Sequence, residues 1–400
     1  MPTKKNNTYP TAVVTELALG SLSIIRSLGK RGVPVIGIDH NTTNFGVYSK
    51  YCRPVFCENV NSDPLVQTLL DLAKTLDQKA VILCNTDQSA LVVSRYREEL
   101  QDYYTFVLPS HEVLETLINK KMFHEFAVKH KLPVPHTIFT HSKEEAEAAA
   151  DVIPFPCVIK PQLRTSSWYE LIYPLHKVIF ISSKSEYFEV INNYDIASQA
   201  LIIQECIQGK DEDIYFCLTY IDRDLQPLAT FSGKTIRLHP VRTGLYAAAE
   251  SFFEPFVVKE TLRILSLAGC KGPCSVEFMF CHKDMTFKIT EPTAGRIDMQ
   301  ESMATACGID IPYISYQDAI GVKQKLSENF RQGVKWLCET EEIYAFRQCL
   351  GNSGLKKLVS SYSGKRAYGL FDVDDPLPFL KFFSTVIKRK ARKFIKRTAH

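Results

Sequence analysis

Residues 275–296 read SVEFMFCHKDMTFKITEPTAGR. Two short strand-like runs, SVEFMF and TFKITEP, flank the polar turn CHKDM, the pattern of a β-hairpin with a loop of a few residues. Pairing the strands about Asp284 sets Cys281 opposite Phe287, Met279 opposite Ile289 and Glu277 opposite Glu291. Directly opposed side chains in an antiparallel ladder lie about 4.5–5.5 Å apart at Cβ, and like charges at that distance repel. Two readings are open. The pair is a surface feature with water or a nearby Lys between its members, or it holds a divalent cation. Hard cations such as Mg²⁺ take carboxylate oxygens together with substrate phosphates. Arg296 follows Glu291 by five residues, and an Arg fork beside a metal suits a phosphate.

Working outward, 400 residues are enough for two or three domains. A hydrophobic content of 45% and a charged content of 23% suit a globular protein with a substantial core. The twelve cysteines are scattered, with none in a CxxC pair, and several sit in apolar runs, among them Cys84, Cys157 and Cys217. That usage suits reduced, buried thiols of a cytosolic protein better than a disulfide framework or a zinc site. The opening MPTKKNNTYPTAVV has no long apolar core, so a signal peptide is not expected. No apolar run approaches the ~18 residues of a membrane span.

The net charge of +4 conceals an asymmetry: residues 381–400 hold eight basic residues and no acid, so the remainder carries 40 basic against 44 acidic side chains. Within 375–397, Leu380, Phe383, Ile387, Ala391 and Phe394 recur at steps of three and four, an apolar stripe on a basic helix. Such a helix can lie on an anionic membrane surface, where each basic residue is worth about 1 kcal/mol. The equal alternative is a helix docked on the body with a solvated basic end. Nucleic acid is the weaker alternative, because no aromatic-basic platform or DNA-binding motif accompanies the charge.

Before the hairpin, residues 11–118 alternate strand-like and helix-like segments. TAVVT, VPVIGID, AVILCNTD and FVLPS are predicted strands and SLSIIRSLGKRG a helix, implying a parallel sheet with helices on both faces. Ligands of such sheets sit at the C-terminal strand edges, which makes Asp87 a candidate substrate contact, with a helix N-cap as the equal alternative. There is no GxGxxG, so a dinucleotide site is not expected. NKKMFHEFAVKHKLPVP, residues 119–135, reads as a helix with Lys120 and Lys121 at its start, where they are either simply solvated, the commoner case, or meet an external anion that offsets their conflict with the helix dipole. FPCVIKP is a strand ending in Lys160, followed by a loop whose Thr165, Ser166 and Ser167 can cradle phosphates. Asp211, Glu212 and Asp213 form an acidic cluster before a further strand. Lys234, Arg237 and Arg242 fall close together, as a basic surface loop or an anion-binding rim.

In this order, over roughly residues 11–325, these motifs resemble the ATP-grasp superfamily, most of all its carboxylate–amine ligase branch, which includes D-aspartate ligase. NKKMFHEFAVKHKLPVPHT is similar to the family's opening "D-K, helix, P-V-P-x-T", with Asn119 in place of Asp, and FPCVIKP to the strand of its second lysine. The resemblance implies that Lys120 and Lys160 hold ATP phosphates and that Ser166 and Ser167 belong to a phosphate loop, here without glycine. It makes Gln204, Glu205, Cys206 and Ile207 the hinge around adenine and gives Asp211 the ribose. Glu277 and Glu291 become the ligands of Mg²⁺, or of Mn²⁺ in its place, with Thr293 standing where the family has Asn. Arg296 would meet the transferring phosphoryl group, and Lys234 and Arg237 the phosphate or substrate carboxylate.

The implied fold is α/β: a Rossmann-like parallel sheet (1–118), a lid subdomain (119–200), a larger ATP-grasp subdomain with a mixed or antiparallel sheet (201–325), and a C-terminal extension ending in the basic helix (326–400). The implied activity is ADP-forming amide synthesis from a small carboxylate and an amine through an acyl phosphate, on a cell-envelope precursor in one version. A nucleotide-binding regulatory or scaffolding protein and a carboxyphosphate-forming enzyme are the alternatives. The expected location is the cytoplasm, with contact at the inner face of the membrane through the tail; oligomerisation is left open.

Overall fold

The structure, a computed structural model, describes residues 9–162, 178–193, 200–350 and 361–398, and their side chains except at 193, 347–350 and 389–398. The expectations for Thr165, Ser166 and Ser167 lie outside the described residues.

The first sheet is parallel, in the order β3-β2-β1-β4-β5. Its strands are β1 (Ala12–Thr15), β2 (Val35–Asp39), β3 (Cys52–Phe56), β4 (Ala80–Cys84) and β5 (Tyr104–Thr105). Both faces of β1 are covered, and Ala12, Val13 and Val14 are fully buried, which is why its sequence is a continuous apolar run rather than an alternation. The expected strand FVLPS is corrected: β5 ends at Thr105, and residues 106–110 run outside the sheet. Instead the Val107 backbone lies against Gly272, which is at φ +84°. A Cβ there would meet the Val107 carbonyl oxygen at 2.2 Å, so only glycine admits this approach.

A second, four-stranded sheet is antiparallel throughout, ordered β6-β9-β7-β8: β6 (Thr137–Thr140), β7 (Cys157–Pro161), β8 (Ile179–Ile181) and β9 (Leu201–Glu205). Its own small core gathers Cys157, Ile159, Leu201 and Ile203 with Tyr187 and Ile191 of the helix Lys184–Asn193.

The third sheet has seven strands, ordered β14-β13-β10-β11-β12-β15-β16. They are β10 (Ile214–Ile221), β11 (Pro227–His239), β12 (Leu245–Ser251), β13 (Gly272–Cys281), β14 (Thr286–Ala294), β15 (Lys335–Leu337) and β16 (Arg366–Tyr368), all antiparallel except the last pair. Alternation along β10 divides two cores. Phe216, Leu218 and Tyr220 join one with Ile311, Ile314 and Tyr316 of the helix Ile311–Ala319. Cys217 joins the other with Val257 and Ile264 of the helix Pro255–Ala268. Phe216 and Leu218 are the register partners of Glu277 and Ser275, so Glu277 lies on the face that the helix Ile311–Ala319 covers farther along.

Candidate active site

A cleft of about 640 Å³ is lined by all three sheets. From the first come Glu16 and Asn85, from the second Lys160 and Gln204, and from the third Glu277 and Glu291. Lys120, Glu205, Cys206, Ile207, Asp211 and Arg296 line it too. Ten residues separated by up to 176 positions in the chain, from Lys120 to Arg296, thus converge as expected.

The hairpin reaches its Glu pair by a different register from the one predicted. At the turn end, Cys281 pairs with Thr286, Phe280 with Phe287, Met279 with Lys288 and Phe278 with Ile289. The predicted pairs Cys281/Phe287 and Met279/Ile289 are therefore one residue off. A bulge at Thr290 inserts the extra residue, and beyond it Glu277 stands opposite Glu291. A bulge leaves one residue unpaired and re-aims its side chain. Here the Thr290 hydroxyl donates to Glu277 Oε1 at 2.7 Å, and the Tyr246 hydroxyl donates to Glu277 Oε2. Burial, with Glu291 and Asp298 adding to it, pushes the Glu277 carboxyl up to about 7 against the pull of those two hydroxyls. Burial, then the neighbouring Glu277, also raises the Tyr246 phenol well above its ordinary value.

Among the described residues no group of three or more His, Cys, Asp or Glu side chains forms a metal cage. Mg²⁺ does not require one, since one or two carboxylates plus substrate phosphates are its usual protein-side complement. Glu277 and Glu291, facing each other at the wall of a cleft, fit that donor set.

Arg296 is clamped. Its Nε donates to Asp87 Oδ1 at 2.5 Å, one Nη to Asp298 Oδ1 at 2.9 Å and the other to Thr293 Oγ1 at 3.4 Å. Asp298 also accepts the Ser275 hydroxyl at 2.6 Å. Burial works against the Arg296 charge, but Asp298 and Asp87 outweigh it and raise its pKa. A guanidinium has five N–H donors, so the clamp leaves two for a ligand. The N-cap reading of Asp87 is corrected: Thr86 caps the helix Asp87–Arg95 by accepting the Ser89 amide, and Asp87 holds Arg296.

On the second sheet Lys160 Nζ donates to Gln204 Oε1 at 3.0 Å, and Gln204 Nε2 donates to Thr137 Oγ1 at 2.8 Å. The hinge amides of Glu205 and Cys206 are spent on the carbonyls of His136 and Pro156, at 2.8 and 2.9 Å. Asn119 caps the helix Lys120–Lys129 by accepting the amides of Lys121 and Met122, which sets Lys120 at the cleft edge. Asp211 accepts the backbone N–H groups of Leu238 and Arg242 at 3.1 and 2.9 Å, tying down the turn that leads to β12. Burial raises its pKa.

Lys234 and Arg237 are corrected: neither is among the residues lining the cleft. Arg237 is 9% exposed and committed to Glu342 through two hydrogen bonds, with Ser361 Oγ at 3.0 Å. Lys234 Nζ lies over the Phe252 ring at 4.4 Å, with Glu250 at 3.9 Å. Of that basic trio, Arg242 reaches the cleft. It spans to the second sheet, with its guanidinium 4.2 Å above the Phe180 ring and 3.5 Å from Cys206 Sγ.

Sequence reasoning missed Glu16 and Tyr246. Glu16 follows β1 with φ +59°, a backbone conformation that costs a non-glycine residue energy and clusters at functional sites. Asn85 Nδ2 donates to both its carbonyl and its Oε2 at 3.3 Å. Burial, then the Asp39 carboxylate, pushes the Glu16 carboxyl up to about 7. The strand-edge rule that singled out Asp87 would have found Glu16 had it been applied to β1.

No protein-family model matches the chain. Among curated proteins, D-aspartate ligase of Enterococcus faecium (strain Aus0004) is 25% identical over 190 residues, a stretch covering 45% of this chain and 45% of that one. The match therefore spans about half the length of the relative. Among solved structures, N5-carboxyaminoimidazole synthetase from Staphylococcus aureus complexed with ADP superposes with a TM-score of 0.63 at 13% identity, covering 82% of this chain and 81% of that one. Biotin carboxylase from Campylobacter jejuni in a β,γ-ATP complex gives 0.61 at 13% identity, over 81% and 74%. The parallel Rossmann-like sheet, the antiparallel lid sheet and the larger mixed sheet are together the ATP-grasp fold, and that is the architecture of this chain.

Proposed function

We propose that the chain is an ATP-dependent, ADP-forming ligase that phosphorylates a carboxylate oxygen and passes the activated carbonyl to an amine. The observation that carries this reading is the convergence of Lys120, Lys160, the hinge 204–207 and the facing Glu277 and Glu291 on one cleft. Phosphoryl transfer needs positioning and charge neutralisation more than a protein nucleophile.

In this reading Lys120 and Lys160 hold phosphate oxygens, and Ile207 supplies the hinge amide for the base, since those of Glu205 and Cys206 are spent. Asp211 keeps acceptor capacity beyond its two backbone donors, because a carboxylate offers about four lone-pair sites, and a ribose hydroxyl can use it. Glu277 and Glu291 would hold Mg²⁺, or Mn²⁺, which when bound neutralises phosphate charge. The two N–H groups that Arg296 retains face the phosphoryl group in flight. The carboxylate oxygen attacks the γ-phosphorus, ADP leaves, and the amine then attacks the acyl carbon and expels phosphate. We assign residues 1–118 to a flanking domain, 119–200 to a lid, 201–325 to the nucleotide subdomain and 326–400 to an extension.

Two identities for the carboxylate have support. The D-aspartate ligase likeness favours an organic acid and an amide product. The solved structures favour bicarbonate and a carboxyphosphate, since they are N5-carboxyaminoimidazole ribonucleotide synthetases and carboxylases, and by number they weigh more. Measuring Mg²⁺-dependent ADP and phosphate release against bicarbonate, then against a panel of amino acids and envelope precursors, separates the two. Tight ATP binding with no stimulated turnover by either would replace both with a regulatory or scaffolding role.

A further inference from the structure

Among the described side chains of the C-terminal helix Leu377–Thr398 there are two apolar lines, and one of them meets the body. Its root is fixed. Asp375, 1% exposed, accepts Arg26 Nε at 3.0 Å, the Ser49 hydroxyl at 2.8 Å and the Lys50 amide at 3.0 Å. Lys30 adds ion pairs to Asp372 and Asp374 at 2.6 and 3.3 Å. Phe382 then packs edge-on against Phe45 at 6.1 Å and Phe379 against Phe371 at 5.2 Å.

The line predicted from sequence is the other one. Leu380, Phe383 and Ile387 are 56, 39 and 62% exposed, so the helix is docked on the body, as one of the two readings has it, but through a line other than this stripe. Residues one position apart on a helix are about 100° apart, and the body is already served by Phe379 and Phe382. In sequence the exposed line continues at the same spacing to Ala391 and Phe394, and residues 381–400 hold eight basic residues and no acid, beside a body of net −4. Among the described residues no helix is long and apolar enough to cross a membrane.

We propose that this helix lies on an anionic lipid bilayer, with Leu380, Phe383 and Ile387 inserted among the acyl chains and the flanking lysines and arginines at the headgroups. Apolar side chains on one side of a segment that holds eight basic residues and no acid form the pattern of an interfacial helix. Nucleic acid matches the charge but leaves the exposed Leu and Ile without a role. The fixed root makes the helix a rigid attachment, so docking would hold the first sheet at the bilayer surface.

Sedimentation of the full-length protein with phosphatidylglycerol–phosphatidylcholine vesicles, against pure phosphatidylcholine vesicles, tests this. The expected result is pelleting with the anionic vesicles that weakens steeply with added salt. Leu380→Asp with Ile387→Asp should lower partitioning about ten-fold per side chain, and each basic residue neutralised should lower it about five-fold. Thermal melts of the variants should match the parent, because both positions face solvent. Equal pelleting with neutral vesicles, no pelleting, or full pelleting of the double variant would overturn the proposal. So would an oligonucleotide that binds parent and double variant alike and displaces the vesicles. A dimer that forms without vesicles and is abolished by the double variant would instead show a second copy on the stripe.

Discussion

Two pairs of carboxylates stand at or behind the cleft wall, and they differ in who supplies the positive charge. Asp87 and Asp298 close on Arg296, so their charge is balanced from within the chain. Glu277 and Glu291 face each other across a strand pair, and among the described residues the donors to Glu277 are two hydroxyls. The consequence shows in the proton affinities. Asp298, though buried, is held below the ordinary carboxylate value by Arg296 and the Ser275 hydroxyl, whereas Glu277 is pushed up to about 7. A balanced pair is a structural clamp that joins the first sheet to the third. In the proposed function, the unbalanced pair would take its positive charge from a cation brought in from outside.

The contrast breaks most sharply at Glu291. Glu291→Gln should cut nucleotide turnover about 10³-fold, near 4 kcal/mol of lost electrostatic stabilisation, while leaving thermal stability unchanged or higher. Phosphate-release assays and melting curves on the same preparation read both. Unchanged turnover would remove the cation from the account.

Arg296→Met should do the reverse to the fold. Removing the cation strands two carboxylates, which costs about 3 kcal/mol in denaturant unfolding. That is the lower end for a broken buried pair, because the Asp87 side chain is 37% exposed. A variant as stable as the parent would show that the clamp carries no structural load.

The next effect is in pH. Glu277 and Glu16 are both raised from an ordinary 4.5 to about 7. An acid that holds its proton more tightly folded than unfolded contributes stability in full below its unfolded pKa and loses it as pH rises through the folded one. Magnesium-free protein should therefore melt at progressively lower temperature between about pH 5 and pH 8. Glu277→Gln should flatten its share of that slope, and Glu16→Gln the rest. Asp298, lowered rather than raised, predicts no such loss, so a slope untouched by either Gln variant would erase the distinction.

The smallest effect is at the bulge. Thr290→Val removes one donor to Glu277, worth about 1 kcal/mol or five-fold in turnover, and moves the stability midpoint to higher pH. An unmoved midpoint would mean that the bulge serves the register alone.

What was legible in the sequence was local. The Glu pair, the lysine near the end of β7 and the helix that starts at Lys120 each follow from spacing within a dozen or so residues, while the hinge at the end of β9 came from the family resemblance. The family resemblance then placed them in one cleft. What was illegible depends on partners far along the chain. Arg237 looked available because Glu342, which occupies it, lies 105 positions away. Asp87 looked like a cap or a ligand because Arg296 is 209 positions away.

The amino-acid order alone determined an α/β chain with a cross-strand acidic pair and an apolar stripe on a basic tail, because periodicity and like-charge repulsion act between near neighbours. Only the tertiary structure decided the bulge that makes Glu277 face Glu291, the reach of Tyr246 across the third sheet, and which line of the tail helix meets the body. Those outcomes turn on which surfaces other parts of the chain have already covered, and no local window contains that information.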